Sequence, residues 1–171
     1  MDASLEELAM RGGAWLSLGS WAACEWLRGR PTLSHDRQAR VFFVLGLAAL
    51  IGHSLLAMHV RYAWSGEAAL LDAGRRIEAV TGRYSSDGFF ANHVFLAWWT
   101  AEAAAWSAWP GRYRRRPAAW VWASRFVFAF MFANGAIVFA TGPVRVFGAA
   151  ALLAATWAWV RGRAAPRPAE G

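Results

Sequence analysis

Long apolar runs alternate along the chain with short polar connections rich in arginine. Four runs are long enough to cross a bilayer as helices: Val41–Tyr62, Phe89–Trp109, Ala118–Thr141 and Val144–Val160. At about 1.5 Å per residue each reaches roughly 25 Å or more, against a hydrocarbon core of about 30 Å. Charge inside them is sparse. Val41–Tyr62 has none before Arg61, Phe89–Trp109 carries Glu102, Ala118–Thr141 carries Arg125, and Val144–Val160 has only Arg145 at its edge. A fifth run, Gly12–Leu27, is shorter and contains Glu25. It predicts a helix that crosses a thin or compressed bilayer, with Glu25 and Arg28 reaching back to one interface. The pattern predicts an all-α integral membrane bundle in one domain, with five transmembrane helices and four as the fallback.

The connection spanning residues 63–88 is the one sizeable piece outside these runs. Glu67–Val80 predicts a short amphipathic helix on the outer membrane surface, with Leu70, Gly74 and Ile77 on one stripe and Leu71 beside it. Asp72 can pair with Arg75 or Arg76 on the opposite face. Thr81-Gly82 is a stop, since glycine takes the left-handed cap without strain. Ser85-Ser86-Asp87-Gly88 then turns the chain back.

Composition agrees with a membrane solvent. Apolar residues make up 57% of the 171 and charged residues 17%, below the roughly 25% of soluble domains. Disorder and a disulfide scaffold are both excluded, the latter because Cys24 is the single cysteine. All 18 basic residues are arginine, and the net charge of +7 raises nucleic-acid binding. These arginines lie in short tracts between apolar runs, without the basic helices or stacking motifs such a partner needs, so no nucleic acid is expected.

Arginine placement orients the chain. Arg28, Arg30, Arg37, Arg40, Arg112, Arg114, Arg115, Arg116, Arg161, Arg163 and Arg167 fall on one side. The other side has Arg61, Arg75, Arg76, Arg83 and Arg145, diluted by Glu67, Asp72, Glu78 and Asp87, and joined by Asp2, Glu6 and Glu7 if the first run spans. The cytoplasmic bias of arginine puts the C-terminus in the cytoplasm. The tryptophans follow the same map. Trp26, Trp106, Trp109, Trp120, Trp122, Trp157 and Trp159 lie near the inner boundary, Trp15 and Trp64 near the outer, and Trp98 and Trp99 pack deeper. The acidic start is unlike a signal peptide. Cys24 follows Trp21-Ala22-Ala23, an imperfect lipidation motif, and reads as a buried, inert thiol.

Polar residues inside a membrane are functional candidates. His53, His59 and His93 gather in the outer half with the polar cluster Asn92 and Asn134. Two histidines from adjacent helices can hold haem b between their imidazoles. His53 and His59 are six residues apart, roughly 120° around the helix and about 9 Å along it, so only one can join His93 on an iron. The competing reading is that each imidazole bonds a neighbouring helix. No zinc or copper spacing is present, so no metal site is expected. His35 in the inner connection carries no assignment.

Glu102 lies eight residues before Pro110, and Arg125 eight after Pro117. Both therefore sit about 12 Å from the turn at equal depth, which predicts a structural ion pair, with Glu25 as the rival partner for Arg125. There is no nucleophile motif, phosphate loop or paired carboxylate, so catalysis is not expected.

His53, His59 with Trp64 five residues on, Thr81-Gly82, Asn92, Asn134 and Gly142-Pro143-Val144-Arg145 together resemble a family of small bacterial multi-pass membrane proteins without an assigned function. The resemblance covers most of Val41–Val160 and implies an inner-membrane location and added interest in the histidines. The leading expectation is a non-enzymatic accessory subunit or scaffold, with the lipid bilayer and a membrane protein or second copy as partners. Small residues at Ala101–Ala105 and Gly148–Ala155 permit close helix approach. The alternative is a haem b redox module on His93 with His59 or His53. The third is a small transporter or proton path using His53, Glu102 and Arg125.

Overall fold

The structure, a computed structural model, describes residues 5–29, 32–140 and 142–164. Thr141 and the charges expected to set topology at Asp2, Arg30 and Arg167 lie outside them. Within the described residues the chain is all-helical: α1 (Leu5–Arg28), α2 (Leu33–Val60), α3 (Gly66–Thr81), α4 (Asp87–Ala108), α5 (Pro110–Arg114), α6 (Ala118–Ala133) and α7 (Pro143–Ala164). Four of the predicted runs fall largely on one long helix each, and Ala118–Thr141 is divided between α6 and the π turn that follows it. Three of these are both long and apolar enough to cross a membrane, over Ser34–Val60, Ala118–Val138 and Pro143–Arg161. The other two long helices, α1 and α4, are not among them. α1 carries Glu6, Glu7, Arg11, Glu25 and Arg28, while α4 carries Asn92, His93, Glu102 and several tryptophans.

Local chemistry sets the helix ends. Thr32 opens α2 by accepting the His35 N–H on its hydroxyl at 3.3 Å, and Ser65 opens α3 by accepting the Ala68 N–H at 3.1 Å. Gly82 closes α3 at φ 73°, the left-handed cap expected from Thr81-Gly82. The expected pairing of Asp72 falls to Arg76, whose Nε donates at 2.8 Å. Tyr84 folds back so that its ring fills the space beside Gly74, where a Cβ would meet it at 2.4 Å. After α6 the chain widens into a π turn at Asn134–Val138. Arg145 donates its Nε–H at 2.8 Å to the Ile137 carbonyl within that turn.

Five helices close into a ring. α1 packs along α2, α2 on α4, α4 on α6, α6 on α7, and α7 back on α1. α3 lies against α4, with Ile77 over Gly88. Aromatic rings fill the centre. Phe128 of α6 stands 5.5 Å from Phe43, 5.1 Å from Phe95, 4.9 Å from Trp99 and 6.1 Å from Trp21. Most of these contacts are tilted or edge-on, and they supply the dispersion that association in lipid depends on.

Glycines let the helices approach. A Cβ at Gly46 of α2 would sit 2.9 Å from the Trp99 ring and 3.2 Å from the Ser17 carbonyl. Within Gly148–Ala155 one face packs into the bundle, with Gly148 and Ala155 buried, while Ala150, Leu153 and Ala154 are exposed on the other. The outside of the ring is apolar as well. Val94 on α4 is 67% exposed, and Phe126, Val146 and Leu153 are each 70% exposed.

Trp106 departs from the expected belt. It is buried and stacks on Tyr113 at 4.9 Å, because the short α5 turns Tyr113 back under the end of α4. Trp99 is fully buried, as its depth implied.

Candidate functional site

Two carboxylates are buried in the arginine-rich half of the ring, and each is enclosed by donors from other helices. Glu25, in the last turns of α1, is 2% exposed. Its Oε1 accepts Arg28 Nη1 at 2.8 Å. Its Oε2 accepts Arg125 Nε of α6 at 3.0 Å and Trp159 Nε1 of α7 at 2.6 Å. One carboxylate thus ties α1, α6 and α7 together. Arg125 also stacks over Trp122 and Trp159, at 5.0 and 5.3 Å from the ring centroids.

Glu102 does the same for the neighbouring hairpin. Its Oε2 accepts the Tyr113 hydroxyl at 2.6 Å and Arg116 Nη1, and its Oε1 accepts Trp120 Nε1 at 2.7 Å. The Arg116 guanidinium lies 3.7 Å over the Tyr113 ring. α4, α5 and the start of α6 are locked by this group. Arg40 of α2 reaches the same corner, donating to the Trp106 carbonyl at 3.5 Å.

The predicted Glu102–Arg125 pair is therefore corrected: Glu102 pairs with Arg116, and Arg125 with Glu25. Equal distance from the turn leaves rotation about the helix open, and rotation decides the partner. Ser124, Phe128 and Phe132 are the α6 side chains buried in the core. Arg125, one residue beyond Ser124, is turned by about 100°, which takes it to the α1 and α7 side.

The histidines engage different elements. His53 is half-buried and its Nδ1 bonds the Met10 carbonyl of α1 at 2.8 Å. His59 is exposed, with its ring 6.2 Å from Trp64. His93 is exposed and bonds the Phe89 carbonyl of its own helix at 2.8 Å. Of the two asparagines, Asn134 donates to the Phe130 carbonyl of its own helix at 2.8 Å, and Asn92 is exposed. Among the described residues, no three His, Cys, Asp or Glu side chains come together as a metal site. Cys24 is fully buried.

Sequence reasoning missed Tyr113, Arg116, Trp120 and Trp159 as carboxylate donors. Their signal was present. Trp120 and Trp159 carry indole N–H groups, and an indole beside a buried acid serves as a hydrogen-bond donor as well as an apolar filler.

Fold and site define a class: an all-helical protein with three helices able to cross a membrane and interior carboxylates neutralised by neighbouring helices. No protein family, curated protein or solved structure matches the chain. The resemblance to small bacterial multi-pass proteins rests on its short motifs.

Proposed function

We propose that the protein is a non-enzymatic multi-pass membrane scaffold or accessory subunit, with five spans in a bacterial inner membrane and its C-terminus in the cytoplasm. The observation that carries this reading is that donors surround both buried carboxylates: Arg28 of the same helix with Arg125 and Trp159 of other helices at Glu25, and Tyr113, Trp120 and the turn residue Arg116 at Glu102. Groups held this way fix helix positions and leave no free acid or base for chemistry or proton relay. The other two long helices, α1 and α4, count as spans because each is a full member of the ring. Both also present apolar side chains outward, Leu16 at 51% and Val94 at 67% exposure. The bilayer covers this surface, and a partner protein or second copy can pack closely at the exposed Ala101 and Ala104 of α4.

Topology is testable by cysteine labelling in intact cells on a Cys24→Ala background. An impermeant maleimide should modify Arg83→Cys and spare Arg115→Cys, on opposite sides of the proposed map. The reverse pattern inverts it.

An absorption spectrum tests the scaffold reading against a redox one. Purified protein should show no Soret band and no sharp reduced α and β bands. A haem spectrum that disappears in His93→Ala would replace the scaffold by the redox module.

A further inference from the structure

At the opposite end of the ring from the caged carboxylates, the start of α1, the end of α2 and the exposed face of α3 enclose an open cleft of about 520 Å³. That volume lies within the usual range for small-ligand sites. Charges of both signs line it: Glu7 from α1, Arg61 at the end of α2, and Asp72 and Arg76 from α3, with Tyr62 between them. None is deeply buried; the side chains of Glu7, Arg61, Asp72 and Arg76 are 33%, 37%, 35% and 45% exposed in that order.

Hydrogen bonding leaves part of this lining available. Both donors to Asp72, the Tyr62 hydroxyl at 2.6 Å and Arg76 Nε at 2.8 Å, reach the same oxygen, Oδ2. Among the described residues Oδ1 accepts nothing, and the Nη groups of Arg76 donate to nothing. Arg61 approaches Glu7 only to 3.9 Å, beyond hydrogen-bond reach, so its guanidinium is held by charge alone. Desolvation raises the Asp72 pKa, but hydrogen bonds from Tyr62 and Arg76 and the charges of Arg76 and Arg61 outweigh it, and the carboxyl is held below its ordinary range. The cleft thus offers two guanidinium edges for an anion and a carboxylate oxygen for a cation within one concavity.

Its surroundings narrow the ligand. The loop beside it holds Ala63 at φ 45° and Trp64 at φ 64°, two side-chain-bearing residues in the left-handed region, a strained geometry that recurs at binding sites. Trp64 is 59% exposed and Leu55, two turns earlier on α2, is 52% exposed. On the proposed topology an indole there marks the headgroup level, with acyl chains beside Leu55.

We propose that this cleft binds a zwitterion carrying a phosphate and a primary ammonium, the chemistry of a phosphoethanolamine headgroup. Arg61 and Arg76 take the phosphate, since planar guanidinium forks match its oxygens. Asp72 takes the ammonium through Oδ1, while Glu7, already bonded by Arg11 at 2.6 Å, adds negative charge to the wall; a trimethylated choline lacks the N–H donors that Oδ1 needs. The placement rests on the membrane reading, while the recognition chemistry rests on the cleft alone.

The test uses the full chain in detergent micelles, melted in the presence of short-chain phosphatidylethanolamine, phosphatidylcholine, phosphatidylglycerol or soluble phosphoethanolamine. Apparent affinities follow from the concentration dependence of the melting shift. Phosphatidylethanolamine should bind roughly tenfold or more tightly than phosphatidylcholine and phosphatidylglycerol, as expected for charge-assisted hydrogen bonds. Arg61→Gln should abolish that preference with unchanged circular dichroism, because Arg61 makes no side-chain hydrogen bond among the described residues. Arg61→Lys should retain part of it. Soluble phosphoethanolamine that matches the lipid identifies a free zwitterion as the ligand, and a response to the lipid alone identifies the headgroup; both support the site. Equal binding of all three lipids, tighter binding of phosphatidylglycerol, no shift with any ligand, or an Arg61→Gln protein indistinguishable from wild type would overturn it. Such a result in a chain that still inserts into vesicles removes the cleft assignment and leaves the membrane reading standing.

Discussion

Glu25→Gln is expected to destabilise the bundle by about 3–5 kcal/mol, the usual cost of stripping one partner from a buried ion pair. Two arginines depend on this carboxylate. Arg28 and Arg125 are only 17% and 16% exposed at their side chains, so solvent screens them poorly when it is neutral. The new amide can still accept the Trp159 N–H, but it returns no charge. Glu102→Gln should cost less, because one arginine, Arg116, faces Glu102, while the Tyr113 and Trp120 donors can bond an amide oxygen. A double-mutant cycle in detergent melting reads the pairing directly. Glu25→Gln with Arg125→Gln should be less harmful than the sum of the singles, whereas Glu102→Gln with Arg125→Gln should be close to additive. Strong coupling in the second cycle and none in the first would restore the partner expected from depth alone.

Gly148→Ala is the second large effect, at about 1–3 kcal/mol of overpacking. A Cβ there would lie 2.6 Å from the Ala136 Cβ and 2.7 Å from the Ala136 carbonyl oxygen. Neither atom can swing aside, since one is fixed to the backbone and the other belongs to it. Ala136 sits in the π turn, so relief requires α7 to back away, which pulls Arg145 from the Ile137 carbonyl. Gly52→Ala is the internal comparison. Gly52 lies in α2, where an added methyl would meet nothing within 4 Å, and the change should be neutral or stabilising by up to about 1 kcal/mol from helix propensity. Equal melting temperatures for the two variants would show that α7 does not meet the π turn at Gly148.

Much of the secondary structure was legible because apolar run length and capping residues are local signals. The helix following Ser65, its stop at Gly82, the Asp72–Arg76 pair and the burial of Cys24 all follow from a few neighbouring residues. The partner of Arg125 was not legible, and helix geometry says why. An error of one residue moves a side chain about 1.5 Å in depth but about 100° around the axis. Counting residues from Pro110 and Pro117 therefore placed Glu102 and Arg125 at one level without saying which neighbours they faced. The same limit applied to His53, which turns toward Met10 on α1. The π turn at Asn134–Val138 and the five-residue α5 were hidden for a different reason: their composition resembles the helices beside them. Three helices are long and apolar enough to cross a membrane, and α1 and α4 are not among them.

Synthesis order gives Glu25 an exposed period. Its bonds to Arg125 and Trp159 span 100 and 134 residues of sequence, whereas Arg28 is three residues away. At a translation rate of about 5–20 residues per second, roughly 7–27 seconds pass between the emergence of Glu25 and that of Trp159. During that interval Arg28 is the neighbouring counter-ion, travelling beside the acid from the moment α1 forms. The arginine is thus a temporary escort during insertion and a permanent ligand afterwards. The ring seals only when the last described helix arrives.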